Sequence, residues 1–276
     1  MLTLYKRIVL LLALPIILRE YFSPQTGREY GIGLFAKMML LIKMLRNHLR
    51  IPTASGFPEH LLMATVIFNT PKSLKGDIVE CGAWKGGSTA NLSLVAALVK
   101  RRFEIFDSFQ GLPEPTASDK RHSILFTKEI HTYEKGSWKG TFEEVTRNVS
   151  RYGDIAVCNF HKGYFEETLP AFKKRAILVF TDADLIESTK TCIVYLWPLL
   201  QNGCHFYIHE AQHLAVAGLF FDTDWWKATF HSDPPGLIGV GNGVGLYPHQ
   251  GGFKSALGYT IKNPSLSSFK EMPQDA

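Results

Sequence analysis

The segment Gly76-Asp-Ile-Val-Glu-Cys-Gly-Ala-Trp-Lys-Gly-Gly-Ser88 constrains this chain more than any other. It runs from a buried-strand pattern through three glycines to Ser88, a residue able to cap a helix. A strand that turns on glycine into a helix is the unit from which a doubly wound sheet builds a nucleotide site. The ligand lies beyond the carboxyl ends of the strands, where backbone N–H groups can approach it and a helix N-terminus adds positive potential. Gly82, Gly86 and Gly87 match neither G-x-G-x-x-G nor G-x-x-x-x-G-K-[ST], which favours a ligand other than a polyphosphate.

Glu80 stands just before that turn. A carboxylate there repels phosphate and accepts hydrogen bonds from a ligand bearing an ammonium or sulfonium group, such as S-adenosylmethionine; a buried acid closing the strand gives the same pattern. The next strand, within Arg102-Phe-Glu-Ile-Phe-Asp-Ser-Phe-Gln-Gly-Leu-Pro113, ends on Asp107. That is where the acid gripping a ribose diol is expected in this kind of sheet. An acid at each of two strand ends, with the glycine turn between, fits a nucleoside whose far end carries an amine.

These residues resemble the macrocin O-methyltransferase family, metal-dependent S-adenosylmethionine enzymes that methylate sugar hydroxyls on natural products. The likeness rests on four blocks: Gly76 to Thr89, Phe106-Asp-Ser-Phe-Gln-Gly-Leu-Pro-Glu-Pro115, Lys162-Gly-Tyr-Phe-Glu-Glu-Thr-Leu-Pro170 and Asp182-Ala-Asp-Leu-Ile-Glu-Ser-Thr189. They cover roughly the central half of the chain. The resemblance implies an α/β fold: a Rossmann-like, doubly wound, seven-stranded sheet with a C-terminal antiparallel hairpin, plus an N-terminal helical extension. It also implies a cofactor held by Glu80, Gly82, Gly86, Ser88, Asp107 and Ser108, with Gly163 and Tyr164 beside the adenine.

Two further strand ends bear on chemistry. Ala176 to Thr181 delivers Asp182-Ala-Asp184, and Cys204 to Ile208 delivers His209-Glu210. Adjacent parallel strands bring such ends within ligand distance. In the family this pattern suggests a magnesium-like ion, here at Asp182, His209 and Glu210, and the chain departs in having histidine where an acid is expected. Magnesium prefers oxygen donors, so the imidazole shifts preference toward Mn, Fe or Zn. A cation on a sugar hydroxyl lowers its pKa. Without one, His209 can act as general base, its ordinary pKa of ~6.5 suiting proton removal near neutrality, with Asp182 as the alternative. Strand alternation turns Asp184 away from this group; His213 would join it only on a helical turn.

The remaining signals set the frame. With 46% hydrophobic and 20% charged residues in 276, the chain can bury one α/β core. The net charge of +5 is mild, and its basic excess gathers in the first fifty residues rather than in a stripe mixed with aromatics, which excludes nucleic acid as the expected partner. Cys81, Cys158, Cys192 and Cys204 lack C-x-x-C spacing and read as reduced, buried side chains of a cytoplasmic protein. The apolar run Ile8 to Leu18 is eleven residues, short of the ~20 that span a bilayer, and no small-residue cleavage site follows it.

Gly31 to Arg50 places Phe35, Met38, Met39, Ile42, Leu45 and Leu49 on one helical face and Lys43, Arg46 and Arg50 on another. Such a helix packs on the domain or on a second subunit, or lies on an anionic membrane surface. Residues 1–58 are therefore expected as a helical extension and linker, 59–263 as the methyltransferase domain and 264–276 as a polar tail. Within the domain, Glu59 to Asn69, Ser88 to Leu98 and a segment capped by Thr141 and ending near Gly153 are predicted helices. Ile155 to Phe160 is the third predicted strand. Glu114 to Gly140 is expected as a substrate-covering loop, and Asn242-Gly243 as a hairpin turn. Phe220, Phe221, Trp225 and Trp226 either floor a sugar site or pack a dimer contact.

The expected activity is transfer of a methyl group from S-adenosylmethionine to a hydroxyl of a small-molecule or glycolipid acceptor, helped by a divalent cation, Mg first. Peripheral membrane contact through residues 1–50 and homo-oligomerisation remain open at this level. The alternatives are a non-catalytic S-adenosylmethionine-binding protein and an NAD(P)-dependent oxidoreductase.

Overall fold

A computed structural model describes residues 14–15, 17–119, 121–123, 125, 130–240 and 257–263. After a helical segment at 17–21, helices α1 (Leu34–His48) and α2 (Phe57–Asn69) precede strand β1 (Asp77–Cys81). Then follow α3 (Gly87–Val99), β2 (Phe103–Asp107), a short antiparallel pair β3 (Arg121–Ser123) and β4 (Ile130–Thr132), α4 (Phe142–Tyr152), β5 (Cys158–Lys162) and α5 (Phe165–Thr168). β6 (Ala176–Thr181), α6 (Ile186–Leu196), β7 (Leu200–Ile208), α7 (Leu214–Gly218), α8 (Thr223–Phe230) and β8 (Gly258–Ile261) complete the chain.

The main sheet has six described strands in the order β5-β2-β1-β6-β7-β8, parallel except for β8, which runs antiparallel to β7. Parallel strands are covered on both faces, so their sequences must be apolar throughout. All six residues of β6 and four of the five in β1 are buried. The chain steps from β1 to β2 on one side and returns to β6 on the other, so β1 and β6 flank the switch point where ligands bind in such sheets. The doubly wound fold and the antiparallel C-terminal strand are as the sequence predicts. The Asn242-Gly243 turn and the 264–276 tail lie outside the described residues, as does most of the Ile8 to Leu18 run.

Local differences have physical causes. Ser88 does not cap its helix: the helix starts at Gly87, and the capping position belongs to Gly86.

 Its left-handed backbone, φ 83°, suits glycine and turns the chain into α3, while Ser88 is buried inside the first turn. The third predicted strand begins late because the Asp154 carboxylate accepts from Ala156 N at 3.1 Å, winding Ile155–Val157 into a tight turn before β5. The Glu114 to Gly140 loop carries the β3–β4 ribbon and is fastened by Asp119, whose carboxylate accepts from the Ile186 backbone N–H. Phe220 and Trp226 are fully buried and pack with Trp197 and Phe206, so these two are core rather than a sugar floor. From the N-terminal extension, Ile17, Tyr21, Leu40 and Met44 enter the same core as the sheet.

Candidate functional site

Above the carboxyl ends of β1, β2 and β6 lies a cleft of about 1050 Å³, counted out to its open mouth. Gly82 makes the approach of β1 to β6 feasible. Its φ is 93°, the Asp182 N–H donates to Cys81 O at 2.8 Å, and a β-carbon on Gly82 would overlap the Asp182 carbonyl oxygen. Of the residues expected to hold the cofactor, Gly82, Asp107, Ser108 and Tyr164 line the cleft. Glu80, Gly86, Ser88 and Gly163 are not part of its lining.

Several of these side chains are committed to the protein itself. Asp107 Oδ2 accepts from Ala83 N at 2.7 Å and Trp84 N at 3.2 Å, and Oδ1 accepts from Phe109 N at 2.6 Å. The carboxylate therefore clamps the glycine turn to the end of β2. Burial raises its pKa, and these three N–H groups oppose the rise. Ser108 Oγ donates to Gly111 O at 2.8 Å. Glu80 is fully buried beneath the turn, with Oε2 accepting from Thr89 Oγ1 at 2.6 Å; burial pushes its carboxyl up to about 8.

Asp182, at the end of β6, and His209-Glu210, at the end of β7, meet at the cleft wall. One ligand atom from each lies within 4.8 Å of the others. His209 Nδ1 is 3.2 Å from Asp182 Oδ1 and 3.7 Å from Glu210 Oε1. Burial opposes charge on His209, but the Asp182 carboxylate, helped by Glu210 and Glu59, holds its pKa well above the ordinary value. Burial and Asp182 push Glu210 up to about 8, and both of its oxygens are buried without a hydrogen-bond partner. Two buried acceptors aimed at a neighbouring carboxylate and an imidazole fit a divalent cation, which would satisfy all of them at once.

Among the described residues, neither Asp184 nor His213 belongs to this cluster. Asp184, in left-handed backbone at φ 57°, bonds with Tyr133, and burial raises its pKa to about 7. His213 Nε2 lies 3.1 Å from His131 Nδ1.

Sequence reasoning missed two groups. Glu59 Oε2 accepts from Gly56 N at 2.7 Å and stands 3.9 Å from His209 Nε2, so the start of α2 borders the cluster; the Gly56-to-Glu59 spacing of a helix cap was its only signal. Trp84, inside the glycine turn, meets Trp138 edge to face at 5.0 Å, and both line the cleft.

Residues 60–223 match the Macrocin-O-methyltransferase (TylF) family. The chain is 36% identical over 134 residues to the 8-demethyl-8-(2,3-dimethoxy-alpha-L-rhamnosyl)-tetracenomycin-C 4'-O-methyltransferase of Streptomyces olivaceus, covering 46% of this chain and 50% of that protein. It is 34% identical over 136 residues to the Mycinamicin III 3''-O-methyltransferase of Micromonospora griseorubida, covering 46% and 52%. The chain thus spans about half the length of the curated relatives it matches. Its fold is similar to that of the O-methyltransferase NovP, with a TM-score of 0.56 at 20% identity over 75% of this chain and 81% of that one. CalS11, a calicheamicin methyltransferase, gives 0.51 at 15% identity over 82% and 92%. With a family match across more than half of its residues, on a doubly wound sheet with strand-end acids around one cleft, the chain belongs to the macrocin-O-methyltransferase family.

Proposed function

We propose that this protein transfers a methyl group from S-adenosylmethionine to a sugar hydroxyl of a glycosylated or lipid-linked metabolite, assisted by a divalent cation. The observation that carries the reading is the meeting of Asp182, His209 and Glu210 at the same cleft that Gly82 opens. The name of the Streptomyces olivaceus relative, an O-methyltransferase of a rhamnosyl-bearing compound, supports the acceptor class.

Gly82, Ser108 and Tyr164 would hold the methyl donor against the ends of β1 and β2, with Asp107 keeping the turn in shape. Asp182, His209 and Glu210 would hold the cation, and the imidazole donor favours Mn over Mg relative to an all-acid site. A divalent cation supplies Lewis acidity that lowers the pKa of an alcohol oxygen and fixes its direction. His209 has to be neutral at whichever nitrogen ligates or takes a proton. S-adenosylmethionine would supply the methyl group to the acceptor oxygen and leave as S-adenosylhomocysteine, and Asp182 or His209 would take the hydroxyl proton. Trp84 and Trp138 present apolar faces that exclude water and pack against a sugar ring.

Calorimetry tests the reading. S-adenosylmethionine should bind and NAD should not; Mn should bind the parent and fail to bind Asp182→Asn, which should retain the cofactor. Methyl transfer to rhamnosylated acceptors should be lost in the same variant. NAD binding without S-adenosylmethionine binding would overturn the proposal.

A further inference from the structure

Helix α1 is apolar on both sides, whereas an ordinary surface helix buries one apolar stripe and shows a polar side to water. Its inner side is Lys37, Leu40, Met44 and Asn47, all buried. Its outer side exposes Phe35 (77%), Met38, Met39, Ile42 (54%) and Leu45, and Leu49 just beyond the helix continues the stripe at 82%. Polar bonds on the inner side fix this orientation. Lys37 Nζ donates to Ser23 O at 2.7 Å, and Tyr21 Oη donates to Lys37 O at 2.9 Å. Asn47 Nδ2 donates to Asn91 Oδ1 at 2.9 Å and Tyr152 O at 3.0 Å. Rolling the apolar stripe inward would break all four.

A contiguous apolar face of this size on the surface of a chain marks a contact. Charge selects what it contacts. Lys43, Arg46 and Arg50 are exposed along one edge of the stripe, and residues 31–58 contain no Asp or Glu. Residues 1–58 hold eight Lys or Arg against two Glu, while the rest of the chain holds twenty-two basic against twenty-three acidic residues. The face set against a second copy of itself would find no acid to pair with those three cations, whichever way the helices run. An anionic lipid headgroup layer pairs with them and receives the stripe together.

We propose that α1 is a membrane-surface helix, lying in the interface of an anionic bilayer with Phe35, Ile42 and Leu49 among the acyl chains and Lys43, Arg46 and Arg50 at the headgroups. At 15 residues it is about 22 Å long, suited to lying in the interface, and no described helix is long and apolar enough to cross a membrane. The inference stands apart from the methyl-transfer reading, because it uses none of the cleft residues.

Co-sedimentation of the full chain with vesicles tests it. Phosphatidylcholine vesicles containing phosphatidylserine should bind the chain, and pure phosphatidylcholine should bind it roughly a hundredfold more weakly, about fivefold for each of three basic residues at an anionic surface. Added salt should reduce the difference. Ile42→Glu and Leu49→Glu should each reduce binding at least tenfold while leaving the thermal midpoint and S-adenosylmethionine affinity unchanged. Equal binding by these folded variants, or no binding to anionic vesicles, overturns the proposal. So does a lipid-free dimer in sedimentation velocity that Leu49→Glu dissolves, since a second copy would then be the occupant. Loss of methyl transfer with vesicle binding intact would count against the catalytic reading alone.

Discussion

Glu80→Gln should stabilise the ligand-free protein by an amount that grows with pH. Glu80 is fully buried at the end of β1, where Thr89 Oγ1 donates to one oxygen and the other has no hydrogen-bond partner. Burial raises its pKa from 4.5 to about 8, against the pull of the Ser88 and Thr89 hydroxyls. Between those values the folded protein keeps a proton that the unfolded chain has lost. Stability therefore falls as pH rises, by about 1.4 kcal/mol per unit. The contribution is fully present below 4.5 and is lost progressively up to 8. At pH 7 the cost is about 3 kcal/mol. Glutamine has no such proton. Urea unfolding at pH 5, 6, 7 and 8 should show parent and variant within about 1 kcal/mol at pH 5 and about 3 kcal/mol apart at pH 7, the variant being more stable. A gap that does not widen with pH, or a less stable variant at pH 8, refutes the reasoning. Saturating S-adenosylhomocysteine adds a second reading. If its ammonium comes to Glu80, the carboxylate gains a partner and the pH slope shrinks; an unchanged slope places that amine elsewhere.

Three other substitutions follow from the packing. Gly82→Ala should cost more than about 2 kcal/mol in urea unfolding, because the new methyl overlaps the Asp182 carbonyl in a backbone region that disfavours a β-carbon; a smaller cost would mean that the two strand ends separate easily. Asn91→Leu should cost about 2–4 kcal/mol by the same measurement, since it strips buried partners from Asn47 and from His60 Nδ1; a neutral result would show that this network contributes little. Trp138→Ala, at a residue 46% exposed, should leave stability within about 0.5 kcal/mol. It should lower kcat/KM for a glycosylated acceptor without changing cofactor affinity, and equal losses in both would move Trp138 from the acceptor to the donor side.

The glycine turn, the parallel order and the meeting of Asp182 with His209-Glu210 were legible because each follows from strand ends on one edge of a sheet, and strand ends can be read from apolar runs. Asp107 shows where that reading stops. Sequence places a carboxylate at the tip of β2, but three backbone N–H groups already occupy it, and nothing in the local pattern counts spent lone pairs. Glu80 is similar, since its spacing suits a ligand contact while its depth beneath the turn depends on how α3 packs over β1. Helix α1 gives the sharpest case. Its period reveals a stripe running from Phe35 to Leu49, yet the direction of that stripe depends on where Ser23, Asn91 and Tyr152 stand, and those partners come from three other parts of the chain. An amphipathic pattern fixes the angle between two faces and leaves open which one is buried. Here, Leu40 and Met44 in the core together with the hydrogen bonds of Lys37 and Asn47 settle the direction, and so leave a second apolar face on the surface.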